Sequence, residues 1–525
     1  MTQRNRTDRH HGKGRHHRTG AAAGGLAAAL TALALLAGGC TGATGGVRGT
    51  PGSAGLRDPY FPKLGNGGYD VSHYALTLGY DPATGRLAGT AEITARATQD
   101  LSAFNLDLAG LTVERASVDD APAAVNRAGN ELTLRPREEI PDGTEFRATV
   151  AYGGVPEPVT DADGSQEGWL RTGEGVVAVG EPTGSMTWFP GNHHPSDKAA
   201  YEITLTVPAG FEGLSNGVRT ARRAAADGRV TTEWRMAEPM ASYLATVAIG
   251  RYETTTATAT AGGPDPTASA TATAGGADPS ATASAGGADP TAAASAGGAG
   301  TPVAGSVSVL TAADRSVAAA TAPLRGEIPE ILDRQARRFG PYPFSTAGAI
   351  VTPDGTLGYA LETQTRPVFP AASFDRTTLV HELAHQWFGN SVTPATWRDL
   401  WLNEGFATYA EWLYAEEYEH VPARTHFERA FAQDANWAFP PAAPPAAENL
   451  FDPPVYQRGA MVLHKLRETV GEERFGEILR GWPAKYRHAN ASTADFTAYA
   501  ESVAGRDLDA LWDVWLYGDE RPPGP

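Results

Sequence analysis

From Tyr69 to about Arg251, apolar and polar residues alternate with a period of two. The runs are short, as in Tyr74-Ala-Leu-Thr-Leu, Ala91-Glu-Ile-Thr-Ala, Glu131-Leu-Thr-Leu and Tyr201-Glu-Ile-Thr-Leu-Thr-Val, and Gly, Pro and Asp separate them. A period of two sends successive side chains to opposite faces, so this stretch predicts an all-β domain, sandwich or saddle, without a long helix. Ala245-Thr-Val-Ala-Ile and Val303 to Leu310 predict strands on either side of a break. Beyond Ala312 the period becomes helical. Helices are predicted over Pro323–Phe339, closed by Gly340-Pro341, and over Asp375–Phe388, with Ser373 or Asp375 as N-cap and Gly389 at the end. Others fall near Leu400–Tyr418, Gln457–Thr469, Glu472–Leu479, Ser492–Val503 and Leu508–Tyr517, with strands at Ala347–Val351 and Gly358–Thr365. The predicted fold is therefore multidomain, an N-terminal all-β saddle or sandwich followed by an α+β domain.

Three interruptions set the boundaries. Residues 254–305 are almost entirely Ala, Thr, Ser, Gly and Pro, with only Asp265, Asp278 and Asp289 charged, and repeat a degenerate unit as Gly262-Gly-Pro-Asp-Pro, Gly275-Gly-Ala-Asp-Pro and Gly286-Gly-Ala-Asp-Pro. Such a composition cannot offset the entropy of folding and predicts a disordered insertion between two strands. At the start, Arg4, Arg6, Arg9, Lys13, Arg15 and Arg18 precede a small-apolar span from Ala21 to Ala37 and then Leu36-Ala-Gly-Gly-Cys40. This looks like a bacterial lipoprotein signal, in which Cys40 receives the lipid after cleavage before it. The expected organisation is a signal at 1–39, a flexible tether at 40–60, a β-domain at 61–312 and a catalytic domain at 313–525. The folded part is then expected outside the cytoplasm, anchored to the membrane face through Cys40 or secreted if the cysteine stays unmodified.

Composition excludes several chemistries. Of 525 residues, 43 are Lys or Arg and 60 are Asp or Glu, a net charge of −17, and the basic leader makes the remainder more acidic still. Nucleic acid is therefore not an expected partner. With one cysteine, neither a disulfide framework nor a thiolate metal site is available. A metal would have to be held by His and carboxylates.

Those residues occur in one pattern, His381-Glu382-Leu-Ala-His385, inside the helix predicted over 375–388. A spacing of four puts both imidazoles on one face, and zinc suits neutral imidazole nitrogens. Glu404, on the next predicted helix, is the candidate third ligand, and the apolar neighbours Trp401, Leu402 and Phe406 predict that its turn packs inward. An accidental H-E-x-x-H in a chain of this composition has a probability on the order of one in fifty, and a Glu at one fixed later offset lowers it to about one in a thousand. Glu382, between the two histidines, is placed to act as general base toward water.

The segments His381-Glu-Leu-Ala-His-Gln-Trp-Phe-Gly-Asn390 and Trp401-Leu-Asn-Glu-Gly-Phe-Ala407, with 18 residues between His385 and Glu404, resemble the gluzincin aminopeptidases of the aminopeptidase N family. The resemblance covers most of residues 60–520 in outline. It implies one zinc per chain, held by His381, His385 and Glu404, and a thermolysin-like catalytic domain. Gly358-Tyr-Ala-Leu-Glu362-Thr-Gln sits where that family has a G-x-M-E-N strand, with Leu361 and Thr363 replacing Met and Asn. There the resemblance implies that Glu362 binds a substrate's free amine and that backbone such as Gly358 and Ala360 pairs with the peptide. Glu181 matches a second amine-binding position and Tyr456, in Val455-Tyr-Gln-Arg-Gly459, the residue that stabilises the oxyanion. Asp399 could support the metal site or serve only as a helix-end acid. Where the family has Pro-Cys-x-Asp-x-Pro, this chain reads Pro190-Gly-Asn-His193-His-Pro195, and the expectation is a short form lacking the family's long C-terminal helical domain. The implied function is a zinc aminopeptidase acting on peptides with a free N-terminus. The alternatives are a thermolysin-like endopeptidase and a catalytically silent, peptide-binding lipoprotein.

Overall fold

The computed structural model describes residues 47–161, 164–261 and 305–524, and Val47–Pro525 clusters as one compact unit. The leader, Cys40 and most of the 254–305 segment lie outside the described residues.

The alternation in the first half becomes three sheets. The largest has eight strands, and its centre pairs Lys198–Val207 with Tyr69–Asp81 in parallel, then Arg86–Ala97 and Glu145–Gly154 antiparallel. Along Tyr69–Asp81 the even positions Tyr74, Leu76, Leu78 and Tyr80 are buried, as period two requires. Tyr74 stacks on Tyr201 of the parallel neighbour at 4.8 Å, a contact worth about 0.5–1.5 kcal/mol beyond the area it buries. A five-stranded sheet runs Val159–Thr160, Gln166–Arg171, Val176–Val179, Val247–Gly250 and Glu212–Ser215. Its third strand is all valine and alanine, is buried throughout, and delivers the chain to Glu181.

A four-stranded sheet opens the second half, with Tyr252–Ala259 antiparallel to Val307–Asp314, followed in parallel by Thr346–Thr352 and Val368–Pro370. The helices then pack around Arg376–Ala384 and Trp401–Tyr414, with Gly459–Val470 lying against the latter.

Several expectations are corrected. The tether predicted over 40–60 is laid down from Thr50: Thr50–Pro51 pairs with Leu101–Asp107, and glycine backbone at Gly52 and Gly55 reaches Ala103 and Gly65 through hydrogen bonds. The insertion predicted from Thr254 starts later. Thr254–Ala259 is strand, because its alternating threonines present β-branched side chains to Val307–Asp314, with Thr255 bonded to Thr311 at 2.7 Å. The helix predicted over 323–339 is two, Ala318–Arg325 and Ile328–Phe339, interrupted at Gly326, with Pro329 suiting the first turn of the second. Gly358–Thr365 is not a strand. It makes a single bridge, Leu361 to Val368, because Thr365 takes a left-handed conformation that ends the pairing. The helix Ala423–Ala432 has no counterpart among the expectations.

The two halves are stitched by buried polar contacts. Lys198 Nζ donates to the carbonyls of Asn390 and Ser391 at 3.0 Å each, and Asp58 accepts from the Trp397 N–H at 3.0 Å.

Candidate metal centre and cleft

Asp375 caps the helix Arg376–Ala384 by accepting from the Thr378 N–H at 2.9 Å, and His381 and His385 follow on successive turns. Their rings lie 4.7 Å apart. Glu404 sits in the first turn of Trp401–Tyr414, and its Oε2 is 3.2 Å from His381 Nε2 and 3.5 Å from His385 Nε2. One ligand atom from each of the three lies within 4.8 Å of the others, a spacing that fits a shared metal ion.

The far sides of both imidazoles fix their tautomers. His381 Nδ1 faces Glu411 Oε1 at 2.6 Å and His385 Nδ1 faces the Phe388 carbonyl at 3.0 Å. Both partners only accept, so each Nδ1 carries the hydrogen and each Nε2 lone pair is directed at the common point. Glu411 was not among the expected residues. Its signal was the interval of seven from Glu404, two helical turns on the same face.

The helix carrying Glu404 and the turn carrying Tyr456 meet through glycine. A Cβ on Gly405, next to Glu404, would lie 2.9 Å from Gly459, and the reverse contact is the same. The helices therefore touch backbone to backbone, which sets the distance between Glu404 and Tyr456, three residues before Gly459. The Tyr456 ring lies nearly parallel to that of His381, centroids 6.2 Å apart. Burial and the carboxylates Glu404 and Glu181 push its phenol well above its ordinary value, so it holds its proton.

The cleft over these groups has a volume of about 530 Å³ and is lined in part by Glu181, Tyr359, Ala360, Glu362, Glu382 and Tyr456. Gly358 is not part of the lining. Counted back from Glu362, the family's motif glycine falls on Tyr359, whose phenol donates to the Gln166 carbonyl at 3.1 Å and walls the cleft. The Glu362 carbonyl accepts from Asn390 Nδ2 at 2.6 Å, which holds this edge against the turn after the histidine helix. Asp399 does not reach the centre: Oδ1 accepts from the Thr493 N–H and hydroxyl at 2.8 Å each, and Oδ2 completes a capping box with Thr396. His193 lies buried in the β half, its Nε2 3.0 Å from the Phe189 carbonyl.

Three buried carboxylates face the cleft with an oxygen that has no partner: Glu181 Oε1, Glu362 Oε1 and Glu382 Oε2. Burial pushes the Glu382 carboxyl up to about 8, against the pull of His381 and His385. Burial raises Glu181 well above its ordinary value, and Glu362 and Glu404 add to this. Glu404 goes the other way, held at about 2 by His385 and His381 in spite of burial. Among the described residues no Lys or Arg lines the cleft. Carboxyls raised in this way stay neutral until a cation enters beside them, and the cleft offers such a cation three unpartnered oxygens.

Comparison with known proteins agrees with this geometry. Residues 70–244 match the Peptidase M1 N-terminal domain and residues 372–515 the Peptidase family M1 domain, together more than half of the chain. Aminopeptidase M1-D of Oryza sativa subsp. japonica is 26% identical over 472 residues, covering 84% of this chain and 49% of that protein. Aminopeptidase N of Lactococcus lactis subsp. lactis is 34% identical over 170 residues, 30% of this chain and 20% of the relative. The chain thus spans about half the length of the first of these relatives, or less. Among solved structures, an M1 zinc metallopeptidase mutant from Deinococcus radiodurans bound to a Tyr-Ser-Ala substrate superposes with a TM-score of 0.76 at 28% identity, covering 90% of this chain and 99% of the other.

Proposed function

Because this chain belongs to the peptidase M1 family of zinc metallopeptidases, we propose that it is an aminopeptidase, removing N-terminal residues from peptides whose α-amine is free. The observation that carries this reading is the set of unpartnered carboxylate oxygens, Glu181 Oε1 and Glu362 Oε1, buried beside the histidines. An ammonium between them gains charge-assisted hydrogen bonds, each roughly twice as strong as a neutral one. An acylated N-terminus has no charge to offer and leaves both oxygens buried and unsatisfied.

His381, His385 and Glu404 would hold one zinc, whose chemistry is that of a Lewis acid able to polarise a carbonyl and acidify water. The chain's own residues do the rest. Glu382, its free Oε2 facing the cleft, takes a proton from water and delivers it to the departing amine. Tyr456, protonated at neutral pH, donates to the oxyanion that develops on the scissile carbonyl. Glu181 and Glu362 fix the substrate's first residue, and backbone from Tyr359 to Leu361 lies along the cleft beside it. The endopeptidase alternative would leave those two carboxylates without a task.

The same proposal includes export and lipid anchoring at Cys40, supported by the order of charged, apolar and small residues over 1–40.

The test compares aminoacyl fluorogenic amides with their N-acetyl forms, with and without a zinc chelator. Chelator-sensitive release restricted to the free amines is expected, at least a hundredfold over the blocked forms. Comparable cleavage of blocked substrates would transfer the assignment to an endopeptidase, and no release by zinc-loaded protein to a silent peptide-binding protein.

A further inference from the structure

Glu181 has no hydrogen-bond partner at Oε1, so its position has to come from the backbone that carries it. That backbone is short and unusual: the buried strand Val176–Val179 runs through Gly180 to Glu181, and a 3-10 turn begins at Gly184. The loop folds back on the neighbouring strand, and the residue it meets there is Glu167. Glu167 is completely buried and receives four hydrogen bonds from this loop. The Thr183 N–H reaches Oε1 at 3.1 Å and Oε2 at 2.9 Å, the Thr183 hydroxyl reaches Oε1 at 2.6 Å, and the Gly184 N–H reaches Oε2 at 2.8 Å.

Glu167 is not in the lining of the cleft, so it does not meet substrate. Its donors start two residues after Glu181, close enough in sequence that they fix where Glu181 stands. Close packing leaves the loop no second seat, since a Cβ at Gly184 would collide with the Gly168 backbone and the Val179 carbonyl. The residue before Glu167 braces the opposite wall, because the Gln166 carbonyl accepts from the Tyr359 phenol. One short strand thus holds both the loop carrying Glu181 and the segment leading to Glu362.

We propose that Glu167 is a positioning residue for recognition of the substrate amine: it clamps the Thr183–Gly184 backbone so that Glu181 faces Glu362 across the site of the ammonium. This rests on the aminopeptidase reading above. A purely structural role for Glu167 would alter stability without altering the discrimination between ligands that carry an α-amine and ligands that lack one.

That distinction gives the experiment. Inhibition constants of the zinc-loaded chain are measured for leucine hydroxamate and for its deaminated analogue, 4-methylpentanohydroxamic acid, a pair differing only in the amine. A wild-type preference for the amine-bearing compound supports the aminopeptidase reading, and its absence defeats that reading before Glu167 comes into question. With the preference present, Glu167→Gln is expected to shrink it at least fivefold, because an amide offers one acceptor where the loop needs two. The deaminated compound should bind within twofold of wild type, and KM for aminoacyl amides should rise more than kcat falls. In a Glu181→Gln background, Glu167→Gln should bring no further shrinkage. Thr183→Val removes only the hydroxyl donor and should shift the preference in the same direction by less, which decides the matter should Glu167→Gln not fold. An unchanged preference in the variants, equal weakening of both compounds, or an undiminished effect in the Glu181→Gln background overturns the proposal.

Discussion

His193 stands where the motif of the resembling family has an acid, and the structure buries it in the β half. It is 3% exposed, edge-on to Phe189 at 4.8 Å, with its backbone N–H donated to Asp107 at 3.1 Å. Burial pulls its pKa from the ordinary 6.5 down to about 4, with the Phe189 carbonyl working against this. The folded value is depressed, so between pH 4 and 6.5 the unfolded chain binds a proton that the folded chain refuses. Stability therefore rises with pH across that window. From one group with this shift, the gain between pH 5 and pH 7 is about 2 kcal/mol. In urea unfolding, His193→Gln should be destabilised more at pH 7 than at pH 5, the difference approaching that figure. Equal destabilisation at both values would mean that the imidazole is already charged in the folded protein. Glu411 makes a similar point about single residues. The ligand pattern announces His381, His385 and Glu404, whereas the interval of seven that marks Glu411 gains its meaning from the 2.6 Å contact with His381.

Among elements, the contact of Gly405 with Gly459 controls the active-site geometry. The helices Trp401–Tyr414 and Gly459–Val470 approach until backbone meets backbone, one carrying Glu404 and the other continuing directly from Tyr456. A methyl group inserted there has nothing flexible to push aside. Overpacking of this kind costs about 1–3 kcal/mol, and the strain would emerge as separation of Tyr456 from Glu404. Gly459→Ala is expected to lower kcat by about tenfold to a hundredfold while zinc content stays full, in line with the sensitivity of catalysis to displacements near 1 Å. Unchanged kcat with full zinc would show that Tyr456 moves independently of that helix. Elements with strong periodicity were legible in the sequence: the alternating runs around Tyr74 and Tyr201, and the helix carrying both histidines. The errors fall where local pattern loses to tertiary context. Thr254–Ala259 has the composition of a linker yet pairs as a strand because Val307–Asp314 supplies the partner. Gly358–Thr365 has the pattern of a strand yet bridges only at Leu361. Glu167 could not be singled out beforehand, since a lone glutamate next to Gly168 carries no spacing signal, and its meaning lies in donors sixteen and seventeen residues away.

For the molecule as a whole, charge and anchoring have to be reconciled. The net charge of −17 includes a basic leader, so the remaining chain is more acidic still, and its net charge opposes adhesion to anionic lipid headgroups. Among the described residues no helix is long and apolar enough to span a bilayer. In the proposed anchoring at Cys40 the attachment comes from acyl chains, and a single chain alone would bind only marginally. Fatty-acid labelling of the expressed full-length chain should be incorporated and should follow it into the membrane fraction, and Cys40→Ser should abolish both. Label retained in Cys40→Ser, or wild-type protein found unlabelled in the soluble fraction, would remove the anchor from the proposal.

The polar seams between the halves also bear on how such a chain can change over generations. Glu181 comes from the first matched domain and Glu362 from a segment before the second, while Lys198 reaches across to hold the carbonyls of Asn390 and Ser391 just beyond the histidine helix. The proposed ammonium site draws on two separate parts of the chain. Recombination that exchanged the first matched domain for that of a distant cousin would replace Glu181 and leave Glu362 behind, so the proposed site would survive only where the two parts still fit each other.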